Sequence, residues 1–100
     1  MARILLDGEL SIYTAASQKS ALLNAITESG DAEIDLSAVF EIDTAGLQLL
    51  LLATREAARQ SCRLAFLDHS SVVLEALKLT QLLAVLGPRG PAGPQTADLP

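Results

Sequence analysis

The chain has 100 residues, which is a suitable length for one domain. Half of the residues are hydrophobic but only 3% are aromatic, so we expect a single core of aliphatic side chains. The net charge of −5 and the scattered basic residues argue against a nucleic acid as partner, because nucleic-acid binding needs a basic surface. The single cysteine excludes an internal disulfide bond and a thiol-rich metal site, and it fits a reducing compartment.

The sequence carries no pattern typical of secretion or membrane insertion. Asp7 and Glu9 interrupt the apolar residues near the start, which argues against a signal peptide. The longest apolar runs, residues 49–53 and 82–86, are far shorter than the roughly 20 residues that a membrane-spanning helix needs. We therefore expect a cytoplasmic protein with no direct membrane insertion.

The first thirty residues predict two short strands and a helix. The strands cover residues 3–7 and 9–13, and Asp7-Gly8 between them is a dipeptide typical of a tight hairpin turn. Thr14 is the predicted N-cap of a helix over residues 15–28, which Gly30 ends.

The remaining elements alternate between strand and helix. They are listed in chain order: a strand over 33–36, an extended segment over 39–42, a helix over 44–60, a strand over 63–67 and a helix over 72–79 capped by Ser70 or Ser71. Residues 82–86 could form a last short strand or the end of a helical segment. The alternation indicates an α/β fold in which helices cover one or both faces of a small mixed sheet.

The composition changes at Gly87. Residues 87–100 contain all four prolines and three of the six glycines, which cannot bury apolar surface. We predict a folded domain over residues 1–86 and a disordered tail over residues 87–100.

The helix predicted over residues 44–60 has two apolar sides. The expected core side is formed by Leu47, Leu50, Leu51, Thr54, Ala57 and Ala58. The other side contains Ala45, Leu49, Leu52, Glu56 and Arg59. Its two leucines could form an exposed patch for binding a partner, or another helix of the same chain could cover them.

Thr44 has two compatible interpretations at the start of this helix. Its hydroxyl could cap the helix, or it could accept a regulatory phosphate, which the free amides and the helix dipole would favour. Asp43 and Glu41 close by would disfavour that phosphate. On a partner-binding surface, its charge would cost desolvation and repel an acidic partner, so the local chemistry suits an off switch. The sequence shows no second catalytic group beside Thr44, no metal-ligand cluster and no phosphate-binding glycine loop, so we expect no enzyme activity, metal or cofactor.

Two segments resemble the central signature of STAS domains, the sulfate-transporter and anti-sigma-factor-antagonist domains. They are residues 34–39, Ile-Asp-Leu-Ser-Ala-Val, and residues 42–47, Ile-Asp-Thr-Ala-Gly-Leu. Residues 6–15 also resemble the opening strands and first helix cap of the family, and the resemblance covers about residues 3–86. It implies a mixed sheet of four to five strands with helices packed mainly on one face.

The resemblance also implies a function. In similar bacterial antagonists, a partner serine kinase of the histidine-kinase-like ATPase fold phosphorylates a Ser or Thr that follows the motif's Asp. The unphosphorylated form binds that kinase and releases a sigma factor. On this chain the acceptor falls on Thr44, after Asp43. The expected partner surface consists of Asp43, Thr44, Ala45, Gly46, Leu49 and Leu52, with Asp35 and Glu41 in a supporting acidic loop.

Other STAS roles remain open, because this chain has Thr-Ala where antagonists often have Ser-Ser or Ser-Ala before the glycine. One similar group is the small cytoplasmic subunit of lipid-trafficking ABC transporters, in which the same region docks on the ATPase subunit. Further STAS proteins accompany chemotaxis or two-component systems. We expect either a monomer or a weak dimer.

Gly46 is expected to permit a close backbone approach in the first helical turn.

Overall fold

The computed structural model of the protein describes residues 2–88. Its sheet has three strands in the order β1-β2-β3, namely β1 (Ala2–Leu10), β2 (Ala32–Ile42) and β3 (Leu64–Leu67). The helices are α1 (Ala15–Ser29), α2 (Thr44–Arg59), α3 (Ser71–Leu79) and the short α4 (Leu83–Leu86). The predicted α/β class is confirmed, with three described strands rather than four to five. Both strand pairs are parallel, so the sheet that residues 2–88 form is not the mixed sheet that was predicted.

The predicted hairpin near the start is wrong, because β1 is one strand that pairs with β2 along its length. Asp7-Gly8 interrupts the register of this pair instead of reversing the chain, with shifts between Leu5 and Asp7 and between Gly8 and Glu9. Gly8 has φ of 81°, a left-handed conformation that suits glycine within an irregular strand. The segments predicted separately over 33–36 and 39–42 likewise form the single strand β2.

One face of the sheet carries the core. Leu6, Ile34, Leu36 and Phe66 are buried on this face, and they belong to one cluster with buried residues of all four helices. Within that cluster Leu50 is fully buried on α2. The helices therefore pack on one face of the sheet, as the resemblance implied.

The opposite face carries charged side chains. The guanidinium of Arg3 lies 3.2 Å from carboxylate oxygens of Glu33, Asp35 and Asp68. The hydroxyl and amide of Ser37 lower the pKa of Asp35, and Arg3 lowers it further. The network keeps this face polar, so the sheet has one apolar and one charged side.

The predicted helix boundaries after β2 agree closely with the structure. Ser70 is the N-cap of α3, because its hydroxyl accepts a hydrogen bond from the amide of Val73 at 3.3 Å. Residues 83–86, which the sequence left open between strand and helix, form the short helix α4. Gly87 is buried, and its amide donates to the carbonyl of Leu83 at 2.8 Å. Most of the tail predicted as disordered, residues 89–100, lies outside the described residues.

No helix within residues 2–88 is both long and apolar enough to cross a membrane. In the same part of the chain, no group of three or more histidine, cysteine or acidic side chains is arranged to hold a metal ion.

Candidate functional site

Asp43 joins the start of α2 to the loop that follows β1. Its Oδ1 accepts a hydrogen bond from the amide of Gly46 at 3.0 Å, and its Oδ2 accepts one from the amide of Ile12 at 3.1 Å. Both hydrogen bonds lower the pKa of the Asp43 carboxyl, and the bond from the Gly46 amide has a larger effect than the bond from the Ile12 amide. Asp43 is thus the N-cap of α2, and the predicted capping role of Thr44 is wrong.

Gly46 allows α2 to begin directly against the end of β1. A Cβ atom on Gly46 would lie 2.2 Å from the carbonyl oxygen of Leu10 and 2.9 Å from Cγ1 of Ile42. The same Leu10 carbonyl accepts a hydrogen bond from the amide of Asp43 at 3.1 Å. The expected close backbone approach at Gly46 is confirmed, and it fixes Asp43 beside β1.

Thr44 is the first residue of α2 and is exposed to solvent. Among the described residues, no side-chain hydrogen bond engages its hydroxyl. The hydroxyl therefore stands free at the positive end of the helix dipole, next to the carboxylate of Asp43. A modifying enzyme would reach it without unfolding any part of the domain.

Three large apolar side chains are exposed at the same edge of the sheet, and we call them the apolar patch. They are Ile12 (69% exposed), Tyr13 (88%) and Phe40 (68%). Ile12 and Tyr13 follow the end of β1, and Phe40 lies near the end of β2, so the parallel strands bring them to one edge. The carboxyl edge of a parallel sheet is the usual place for binding sites in α/β folds. No local pattern in the sequence predicted this exposure.

The loop between β1 and α1 is held by its own polar side chains. The hydroxyl of Thr14 donates to the carbonyl of Glu9 at 2.7 Å and accepts from the amide of Ser11 at 3.0 Å. The hydroxyl of the buried Ser11 donates to the Glu9 carboxylate and accepts from the amide of Tyr13 at 3.1 Å. Thr14 is the N-cap residue of α1, as predicted, but its side chain makes no capping hydrogen bond to an amide of the helix. It orders the loop that presents the apolar patch.

Comparison with known proteins identifies the family. The family model described as "Mlab, STAS domain" matches residues 1–87. The chain belongs to the STAS domain family. Among solved structures, it is similar to "Structure of the Anti-Sigma Factor Antagonist SpoIIAA in its Unphosphorylated Form", with a TM-score of 0.66 and 21% identity over 79% of this chain and 71% of that one. At this identity the similarity establishes the fold. No curated protein sequence matches the chain.

The STAS domain does not expose both leucines predicted for the partner surface. Leu49 is only 5% exposed and Leu52 is half-buried, and with Ala45 they line a groove between α1 and α2. The alternative that another helix of the chain covers this side is therefore correct for Leu49. Because α1 packs along it, α2 buries two sides, which a helical projection alone did not reveal. Ala58, predicted in the core, is exposed.

Asp35 and Glu41 lie apart from each other in the STAS domain. Asp35 lies within β2 and not in a loop, roughly 25 Å along the chain from Asp43 at strand spacing. It binds Arg3 on the charged face of the sheet, so the structure does not bring it to the loop at Asp43. Glu41 is exposed near the end of β2, opposite Glu9 in the register.

Proposed function

We propose that this STAS domain is a non-enzymatic, anti-sigma-factor-antagonist-like module whose binding to a partner protein ends when Thr44 is phosphorylated. The observation that carries the proposal is the exposed hydroxyl of Thr44 beside Asp43, at the edge where the apolar patch is exposed. The proposed partner is a cytoplasmic serine kinase of the histidine-kinase-like ATPase fold. It would contact Thr44 and Ala45 in the first turn of α2. Gly46, also predicted on the partner surface, is buried against the end of β1 and would act only by positioning this turn.

The local charges explain how a phosphate would act as an off switch. A phosphate adds about −1.5 to −2 charges at neutral pH. Asp43, the neighbouring residue, already uses its carboxylate to accept from the amides of Gly46 and Ile12. A phosphate on Thr44 would repel this carboxylate and compete for the free amides at the helix start. The change would loosen the loop that presents Ile12 and place charge on a surface that a partner must desolvate.

The apolar patch would supply most of the affinity in this proposal. Exposed aromatic side chains such as Tyr13 and Phe40 are enriched among the residues that dominate interface energies. Replacing Tyr13 by Ala should therefore weaken partner binding while leaving the fold intact, because Tyr13 makes little contact with the core. Thr44 would regulate the interface and Tyr13 would anchor it.

The experiment that tests the proposal is affinity capture from native cells with four forms of the full chain. They are the parent, Thr44→Ala, Thr44→Glu and the control Thr27→Glu, which adds the same charge at an exposed threonine of α1. We expect Thr44→Glu to weaken binding of the captured ATPase about tenfold or more, and Thr27→Glu to leave it unchanged. Mass spectrometry should find phosphate on the Thr44 peptide of the parent. Equal binding by the parent and Thr44→Glu would refute the switch.

The second candidate is a stable accessory subunit of a lipid-trafficking ABC transporter. The observation that favours this candidate is the description of the matched family model, "Mlab, STAS domain", which does not refer to sigma factors. It predicts that the same capture returns an ATP-binding-cassette protein and that the Thr44 peptide carries no phosphate. The two candidates thus differ in both the partner and the modification.

A further inference from the structure

A groove of about 480 Å³ runs between α1 and α2, next to the proposed binding surface. Its apolar lining includes Leu49 and Leu52 of α2, and small side chains, Ala15 and Ala45, come from the first turns of the two helices. Ala45 directly follows Thr44, so the groove continues from the surface at which a partner is proposed to bind. Small side chains let another backbone approach closely, and leucines provide apolar contact.

The groove is positively charged although the protein is acidic overall. Lys19 of α1 and Arg55 of α2 are both exposed and both line it, whereas no aspartate or glutamate does. Within residues 2–88 neither side chain is joined to a carboxylate in an ion pair, whereas Arg3 and Arg59 are. The groove thus has two cations without carboxylate partners beside its leucines, on a chain of net charge −5. A complementary ligand would be apolar on one side and acidic at its flanks.

We propose that this groove binds an acidic amphipathic helix of the partner protein, an inference that rests on the proposed function. The groove lies between two helices, and a third helix packs well in such a groove when its apolar side faces inward. The span from Ala45 to Arg55 corresponds to about 15 Å, or roughly ten residues of a partner helix. Leucines of that helix would contact Leu52 and the small side chains of Ala15 and Ala45, and its carboxylates would pair with Lys19 and Arg55.

The test uses the full chain labelled with ¹⁵N and a synthetic helical peptide of about 12 residues, with leucines on one side and glutamates at the flanks. We expect NMR shift changes to concentrate at Lys19, Gln48, Leu52 and Arg55. The double variant Lys19→Glu/Arg55→Glu should raise the Kd about tenfold or more, because two attractive pairs become repulsive. The milder variant Lys19→Gln/Arg55→Gln should give a smaller loss, and its spectrum shows whether the fold is retained.

The matched control is Arg63→Glu/Lys78→Glu, which makes the same change in net charge at exposed residues outside the groove. Parent-like affinity of this control is expected. An equal loss in both double variants, or shift changes away from the groove, would overturn the proposal. Preferential binding of oleate micelles at the same residues would overturn it in favour of a lipid ligand.

The outcomes for the groove and for the switch can be separated with the captured ATPase. If Lys19→Glu/Arg55→Glu weakens that complex and Thr44→Glu does not, the groove proposal holds and the switch fails. If only Thr44→Glu weakens it, the switch holds and the groove proposal fails. A loss with both variants supports both.

Discussion

Replacement of Gly46 by Ala should destabilise this protein, although the same change within an unobstructed helix is favourable by about 1 kcal/mol. The added Cβ would lie 2.2 Å from the carbonyl oxygen of Leu10, so the start of α2 and the end of β1 must move apart. Overpacking of this kind costs about 1–3 kcal/mol, and loss of the hydrogen bond to the Leu10 carbonyl adds about 0.5–1.5 kcal/mol. After the helix gain is subtracted, we expect a net loss of about 1–3 kcal/mol.

Thermal and urea unfolding measure this effect directly. At about 4–8 °C per kcal/mol for a domain of this size, the Tm should fall by roughly 5–20 °C. The control Ala58→Gly, at an exposed residue of the same helix, reports the helix preference alone and should cost about 1 kcal/mol. A Gly46→Ala variant as stable as the parent, or more stable, would refute the argument that this glycine is required by the close approach.

Two further predictions concern the caps of α2 and α3. The amides of Gly46 and Ile12 lower the pKa of the Asp43 carboxyl in the folded protein. The carboxylate therefore contributes its full stabilisation at pH values above the ordinary pKa near 3.8, and this contribution is lost as the pH falls through the lowered pKa. In Tm measurements against pH, Asp43→Asn should therefore be less stable than the parent at neutral pH, with a deficit that shrinks in acid; a constant deficit would contradict this. Ser70→Ala should cost about 1 kcal/mol in urea unfolding, because the amide of Val73 loses its cap, and an unchanged midpoint would contradict the capping role.

The helices could be predicted from the sequence because their signals are local. The apolar spacing of α1 and α2 and the caps near residues 30 and 70 gave their positions to within a few residues. The hairpin at Asp7-Gly8 failed for the opposite reason. The dipeptide strongly favours a turn, but pairing of β1 with a strand some thirty residues later overrides that preference and leaves Gly8 in a bulge.

The candidate site was only half predictable. The motif around Asp43, Thr44 and Gly46 is contiguous in sequence, so its position at the start of a helix followed from the pattern alone. The exposure of Tyr13 and Phe40 could not be predicted in this way, because an aromatic side chain in a short chain is normally expected in the core. It depends on where two parallel strands end and on which helix covers them, which are properties of the assembled fold.

The exposure of the apolar patch has a consequence for how relatives of this protein could diverge. Substitutions at exposed residues usually change stability by no more than about 0.5 kcal/mol, so Ile12, Tyr13 and Phe40 could vary almost independently of folding. Gly46 cannot vary in this way, because any side chain at this position would strain the contact between α2 and β1. One scaffold can thus acquire new partners through a few surface changes while the turn that positions Thr44 stays fixed.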